Sequence, residues 1–249
     1  MVGVRCGRLP AAPLARRPCP KYVMPQTFHP RANAFTKLIL LGGAALLIVG
    51  ATALVQLNWS NWSSDTKVFV EQPVEFSHEH HVSGLGIDCR YCHSSVQKSQ
   101  SAGMPATHTC MSCHSQMWTQ SEMLKPVRES YRSGEPIQWN RVYDLPDYVY
   151  FSHEAHTNSG VACESCHGRI DQMPLTYQAN DLYMQWCLDC HREPEKNIRP
   201  AEFVYAFGYE ERLDEQGVTD KERLAMGRRL VEQYGIQKGR LTNCSVCHR

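Results

Sequence analysis

Residues 89–93 read Cys-Arg-Tyr-Cys-His, and the same form, C-x-x-C-H, recurs at 110–114 (CMSCH), 163–167 (CESCH), 187–191 (CLDCH) and 244–248 (CSVCH). These five pentapeptides use ten of the twelve cysteines in a chain of 249 residues. Two thiols three apart could hold zinc, form a redox dithiol or clamp a covalent haem. Zinc needs four ligands, so an odd number of motifs leaves one unpartnered, and zinc gives no reason for a histidine after every pair. A thioredoxin-like dithiol needs one motif beside a βαβ pattern, which is not visible here. Haem accounts for every atom: the sulfurs take the two vinyl groups as thioethers, and the adjacent histidine reaches the iron. The spacing therefore predicts five c-type haems on Cys89/Cys92, Cys110/Cys113, Cys163/Cys166, Cys187/Cys190 and Cys244/Cys247. Their proximal ligands are His93, His114, His167, His191 and His248. We call these the first to fifth clamps.

Composition sets the frame. The chain is 42% hydrophobic and 20% charged with formal net charge +1, which suits one or two globular units. That balance argues neither for nor against a polyanionic partner, and no nucleic-acid partner is expected.

Leu38 to Val55 is an 18-residue run without a charge. It is long enough to cross about 30 Å of hydrocarbon as a helix. Arg5, Arg8, Arg16, Arg17, Lys21, Arg31 and Lys37 precede it with no acid among them, and Trp59 and Trp62 follow it. The positive-inside rule then puts a basic tail, 1–37, in the cytoplasm, an anchor at 38–57, and everything beyond residue 60 in the bacterial periplasm. Thioether attachment also requires such an oxidising compartment. A cleaved signal peptide at Ala51-Thr-Ala53 is the rival, but its apolar core would be shorter, so a retained anchor is expected. Residues 1–23 differ in character from the rest, and Met24 is read as the true start; Cys6 and Cys19 are expected to be ordinary free thiols.

FSHEHHVSGLGIDCRYCH at 76–93 is echoed by FSHEAHTNSGVACESCH at 151–167. Each carries Phe-Ser-His-x-x-His, then a clamp, then a second clamp. The 71–249 region is therefore expected to be a duplicated two-haem unit, 76–114 and 151–191, with a fifth haem at 244–248. Residues three apart on a helix share a face. His78 with His81, and His153 with His156, are thus expected to supply distal ligands to two neighbouring irons each. His80, His108 and His29 are read as bystanders. Four distal histidines leave one iron short, and the candidates are Met104, Met173 and Met184, with Met173 or Met184 preferred. Met/His ligation would raise that potential above the bis-His sites.

Residues 71–249 leave each clamp only a few tens of residues. The expected fold is thus a multihaem cytochrome c of c3/c7-like duplicated units, short helices and loops wrapped around porphyrins, behind one N-terminal transmembrane helix. One helix is legible from propensity: Thr219 to Glu222 is a capping box, Leu224, Leu230, Val231 and Tyr234 follow, and Gly235 closes it. The Trp-, Tyr- and Pro-containing segment from Gln116 to Tyr150 is expected to be a docking surface or a plain linker. Every clamp ends in His, so no catalytic residue is assigned and the chain reads as an electron conduit.

The anchor followed by FSHEHHVSGLGIDCRYCH, PATHTCMSCHSQMW, YVYFSHEAH, CHGRIDQMPL, WCLDCHREPEK and LTNCSVCHR resembles the pentahaem cytochrome c subunit of alternative complex III, a bacterial quinol:electron acceptor oxidoreductase. The resemblance covers Met24 to Arg249. It implies that quinol is oxidised in partner subunits, a polytopic membrane subunit and an iron-sulfur subunit. Electrons would then leave for a monohaem cytochrome c or a terminal oxidase. A membrane-anchored quinol dehydrogenase, oxidising quinol itself at a membrane-proximal haem, is the alternative.

Overall fold

The structure, a computed structural model, describes residues 29–248. The expectations for residues 1–23, for Cys6 and Cys19, and for the basic residues up to Lys21 lie outside the described residues. The chain divides into two units, 1–55 and 56–249.

Helix α1, Pro30–Asn58, contains the predicted span. Within Arg31–Asn58 the most apolar 18-residue window has a mean hydropathy of 2.5, and none of that window is buried within the protein. It is the one helix among the described residues long and apolar enough to cross a bilayer. Arg31 and Lys37 sit in its first turns, and the His29 ring accepts from the Arg31 backbone N–H at 3.3 Å.

The second unit consists of short helices: α2 (Asn61–Ser64), α3 (Cys89–Cys92), α4 (Thr107–His114), α5 (Lys125–Ser133), α6 (His153–Asn158), α7 (Cys163–His167), α8 (Met184–Arg192), α9 (Tyr209–Glu215), α10 (Asp220–Gln233), α11 (Lys238–Leu241) and α12 (Cys244–Cys247). Strand pairing among the described residues is confined to isolated bridges, such as Val161 with Ile198 and Val149 with His248. All five clamps fall on helices, and local chemistry starts several of them. The Asp88 carboxylate caps α3 by accepting from the Arg90 N–H at 2.8 Å, and Ser152 caps α6 by accepting from Ala155. The capping box of α10 is present as read, Thr219 and Glu222 serving each other's backbone N–H groups, and Gly235 beyond it takes φ +66°.

Ten hydrophobic side chains are buried among the described residues, few for a unit of this size. One cluster joins Val74, Leu124 and Val127, with Cys110, Met111, Ile137 and Trp139 against it. Part of the 116–150 segment therefore holds the second clamp in place through α5. A second anchorage is polar: the side chain of Arg199, 5% exposed, pairs with Glu164 of the third clamp at 3.4 Å and stacks over the Tyr209 ring at 4.8 Å.

Candidate haem-binding sites

The two Phe-Ser-His-x-x-His segments have nearly the same ring geometry. Phe76 meets His78 edge-on at 4.9 Å and 87° and stacks on His81 at 4.4 Å and 25°. Phe151 meets His153 at 4.8 Å and 89° and stacks on His156 at 4.6 Å and 26°. Ser77 and Ser152 each accept a backbone N–H from three residues on, fixing the turn that carries the histidines.

The backbone beneath the two copies differs. The second pair sits on α6, an ordinary α-helix, whereas Glu79–Gly84 in the first copy is a π-helical turn. One extra residue separates His81 from its clamp, and a π turn absorbs one residue without moving its flanks. The bonds that close the two turns differ by that one residue: the Ile87 N–H reaches back six residues to the His81 carbonyl, and the Val161 N–H reaches back five to the His156 carbonyl.

Each Nδ1 has a defined partner in eight of the nine candidate histidines. His81 and His156 reach the carbonyls of Ser77 and Ser152 at 2.8 and 2.7 Å. His93 reaches Gly103 at 2.8 Å, His153 reaches Gln100 at 3.0 Å, and His114 reaches Met117 at 3.2 Å. His191 reaches Leu241 at 2.9 Å and His248 reaches Tyr148 at 3.3 Å, while His78 meets the Thr176 hydroxyl at 3.0 Å. A carbonyl only accepts, so in the seven carbonyl cases Nδ1 carries the proton and Nε2 keeps its lone pair for a metal. His167 is the exception: its Nδ1 is buried with no hydrogen-bond partner among the described residues, and the Tyr143 ring packs on it at 4.4 Å.

The imidazoles also face each other in pairs. Ring centres of His81 and His114 lie 6.3 Å apart, those of His153 and His167 6.4 Å, and those of His156 and His191 6.1 Å. Two imidazoles bound through Nε2 to one iron, at metal–nitrogen distances of about 2 Å, place their ring centres roughly 6.3 Å apart. Rotation about the metal–nitrogen bonds leaves that separation fixed, so the differing interplanar angles of 62°, 9° and 30° are all compatible with it. The fourth distal candidate, His78, has His93 as the foremost charge acting on it after burial. In the second copy the first histidine thus faces the third clamp and the second faces the fourth, and in the first copy His81 faces the second clamp.

Burial, with the neighbouring imidazoles, pulls His78 and His167 down to about 4 and lowers His81 and His156. These rings are neutral at physiological pH, the state a metal ligand needs. Burial raises the thiols of Cys92, Cys110, Cys187 and Cys190, and pushes Cys166 up to about 12. Among the described residues no three His, Cys, Asp or Glu side chains converge as a metal cluster. The donor set fits c-type haem: paired neutral imidazoles oriented from behind, with two thiols beside one of each pair.

Among the described residues no imidazole pairs with His248, whose ring neighbour is Tyr148 at 5.8 Å. Met173 is 2% exposed and lies in the turn after His167, its carbonyl accepting from the Glu79 N–H. Met184 is 61% exposed and begins α8, three residues before Cys187, while Met104, 63% exposed, follows the glycine that holds His93. His80 lies 6.0 Å from the Trp118 ring and 5.4 Å from His81, and His108 lies within α4. Sequence reasoning missed the carbonyl acceptors Gln100, Gly103, Met117, Tyr148 and Leu241, and nothing in their residue types could have signalled them.

No family model matches the chain. It is 36% identical over 129 residues to a curated protein described as "Menaquinone reductase, multiheme cytochrome c subunit" from Nitratidesulfovibrio vulgaris (strain Hildenborough). The match covers 51% of this chain and 60% of that protein, so the chain spans about three fifths of its relative's length.

Proposed function

We propose that this chain is a membrane-anchored multihaem cytochrome c that moves electrons between a quinone-linked membrane complex and a partner outside the bilayer. The observation that carries the reading is the set of facing imidazoles at 6.1–6.4 Å, each beside a C-x-x-C pair. The likeness to a menaquinone reductase subunit supports a quinone-linked role, and the α1 span supports the anchor.

In this reading Cys89/Cys92, Cys110/Cys113, Cys163/Cys166, Cys187/Cys190 and Cys244/Cys247 hold five c-type haems, whose iron supplies one-electron chemistry. His93 with His78, His114 with His81, His167 with His153, and His191 with His156 would hold four of the irons. Carbonyls behind the imidazoles fix their orientation and raise their basicity. A haem held by two imidazoles would keep no open coordination position, so these four sites would supply electron transfer. Met184 is favoured over Met173 opposite His248, since Met173 is enclosed beside a third site that His153 already completes. The similar ring geometry of the two copies supports the duplicated c3/c7-like architecture.

Membership of an alternative complex III, with iron-sulfur and polytopic partners and a periplasmic C-terminal unit, is the finer form of this proposal. The relative's name concerns reduction of menaquinone, so the direction of flow is set by the partners' potentials and not by this chain's fold. An intact-mass measurement on the mature protein tests the reading: five haem additions are expected, and fewer, or free cysteines at a clamp, would overturn it.

A further inference from the structure

Sequence order suggests a row running from the first clamp to the fifth. The contacts between clamps describe another order. We infer that the sites adjoin in the order second, first, third, fourth, fifth, so that the second and fifth are the ends of the row and the two halves meet where the first site touches the third. This rests on the haem assignment proposed above.

Each step of the order has its own contacts. The second and first clamps meet through the Tyr91 and Ser112 hydroxyls at 2.9 Å, each from the middle of its own C-x-x-C, and their distal histidines share one turn. Third and fourth share α6 in the same way, His153 facing His167 and His156 facing His191. Fourth and fifth meet where Leu241, three residues ahead of Cys244, supplies the carbonyl for His191 Nδ1 at 2.9 Å.

The joint between first and third is the most heavily built. One loop, residues 96–103, serves both sites: Gly103 orients His93, and Gln100 orients His153 at 3.0 Å while also accepting the His153 backbone N–H at 3.0 Å. The same loop takes Thr157 at the Val96 carbonyl, 3.3 Å, and Asn158 at the Gln97 carbonyl, 3.2 Å. Among the described residues the second clamp shows no such link to the third, so its route to the second half runs through the first site.

The two orders differ in which site can be lost without cutting the row. In the order inferred here, removing the second clamp trims an end, whereas removing the first strands the second. In simple sequence order the consequences are exchanged. The test uses the full-length holoprotein in detergent as wild type, as the double variant Cys89→Ala with Cys92→Ala, and as Cys110→Ala with Cys113→Ala. Intact mass first establishes one haem fewer in each variant, and the electrons of a rapid photochemical reduction are then followed by haem absorbance.

The second-clamp variant is expected to equilibrate in one fast phase. The first-clamp variant is expected to show a slow phase equal in amplitude to one haem. The reverse pattern, or a fully connected first-clamp variant, overturns the order. If either variant fails to mature, iron–iron separations from electron cryomicroscopy of the wild-type holoprotein decide. First-to-third closer than second-to-third supports the order, and the opposite overturns it. A wild-type mass with fewer than five haems would instead strike the haem assignment itself, so the two failures are distinguishable.

Discussion

Asp88, immediately before the first clamp, shows how one side chain prepares a site. It caps α3, and both its carboxylate oxygens take the Arg90 guanidinium, at 2.9 and 2.7 Å. The hydrogen bonds from Arg90 hold its carboxyl below the usual carboxylate range. A carboxylate whose folded pKa is depressed contributes stability above its unfolded pKa, about 4, and loses that contribution as pH falls through the folded value. Asp88→Asn keeps the cap, since Asn and Asp are comparable there, and removes the charge. The variant is expected to melt below wild type at neutral pH, with the gap closing in acid once wild-type Asp88 is protonated. Melting curves from pH 7 down to pH 3 check this, and a gap that widens in acid would contradict it.

At the scale of elements, the two copies reach one geometry by different backbones, a π turn and an α-helix, because ring positions are set by the flanking Phe-Ser-His-x-x-His and not by the connecting residues. Helix α10 makes the complementary point about packing. Gly227 on its inner face lies directly on the Glu195 carbonyl, in the turn Pro194–Lys196 that follows the fourth clamp, and a Cβ at 227 would collide with that backbone. Glu195 is held there by Lys238 at 2.7 Å. In an exposed helix Gly→Ala would stabilise by about 1 kcal/mol. Here the same change is expected to lower the melting temperature and, by displacing the turn after His191, to perturb the low-spin spectrum of the fourth site. A neutral or stabilising Gly227→Ala would show that α10 does not hold this clamp.

The whole second unit has few buried apolar side chains, so its order depends on the clamps and on polar ties such as Arg199 to Glu164. Removing one member of a buried pair strands the other, at a cost of about 3–5 kcal/mol, while a lone exposed pair is worth under about 1 kcal/mol. Arg199→Met is therefore expected to destabilise the holoprotein far more than Arg141→Met, whose pair with Asp144 is exposed. Denaturant unfolding followed by haem absorbance distinguishes the two. The α1 span, with no side chain of its apolar stretch buried, is expected to keep the chain in the membrane pellet through an alkaline carbonate wash. Release into the supernatant would refute an integral anchor.

The clamps, the two His-x-x-His pairs, the apolar span and α10 were all legible in the sequence because each is a local pattern: fixed spacing, helical period or a capping box. The π turn was not, since a one-residue insertion looks the same whether a loop or a helix absorbs it. Which histidine faces which clamp, which carbonyl orients each imidazole and which clamps touch were decided only by the tertiary structure. Their partners come from far along the chain, as with Gln100 and His153, Thr176 and His78, or Leu241 and His191. Spacing determines what a segment can bind, whereas packing of distant segments determines what it binds next to.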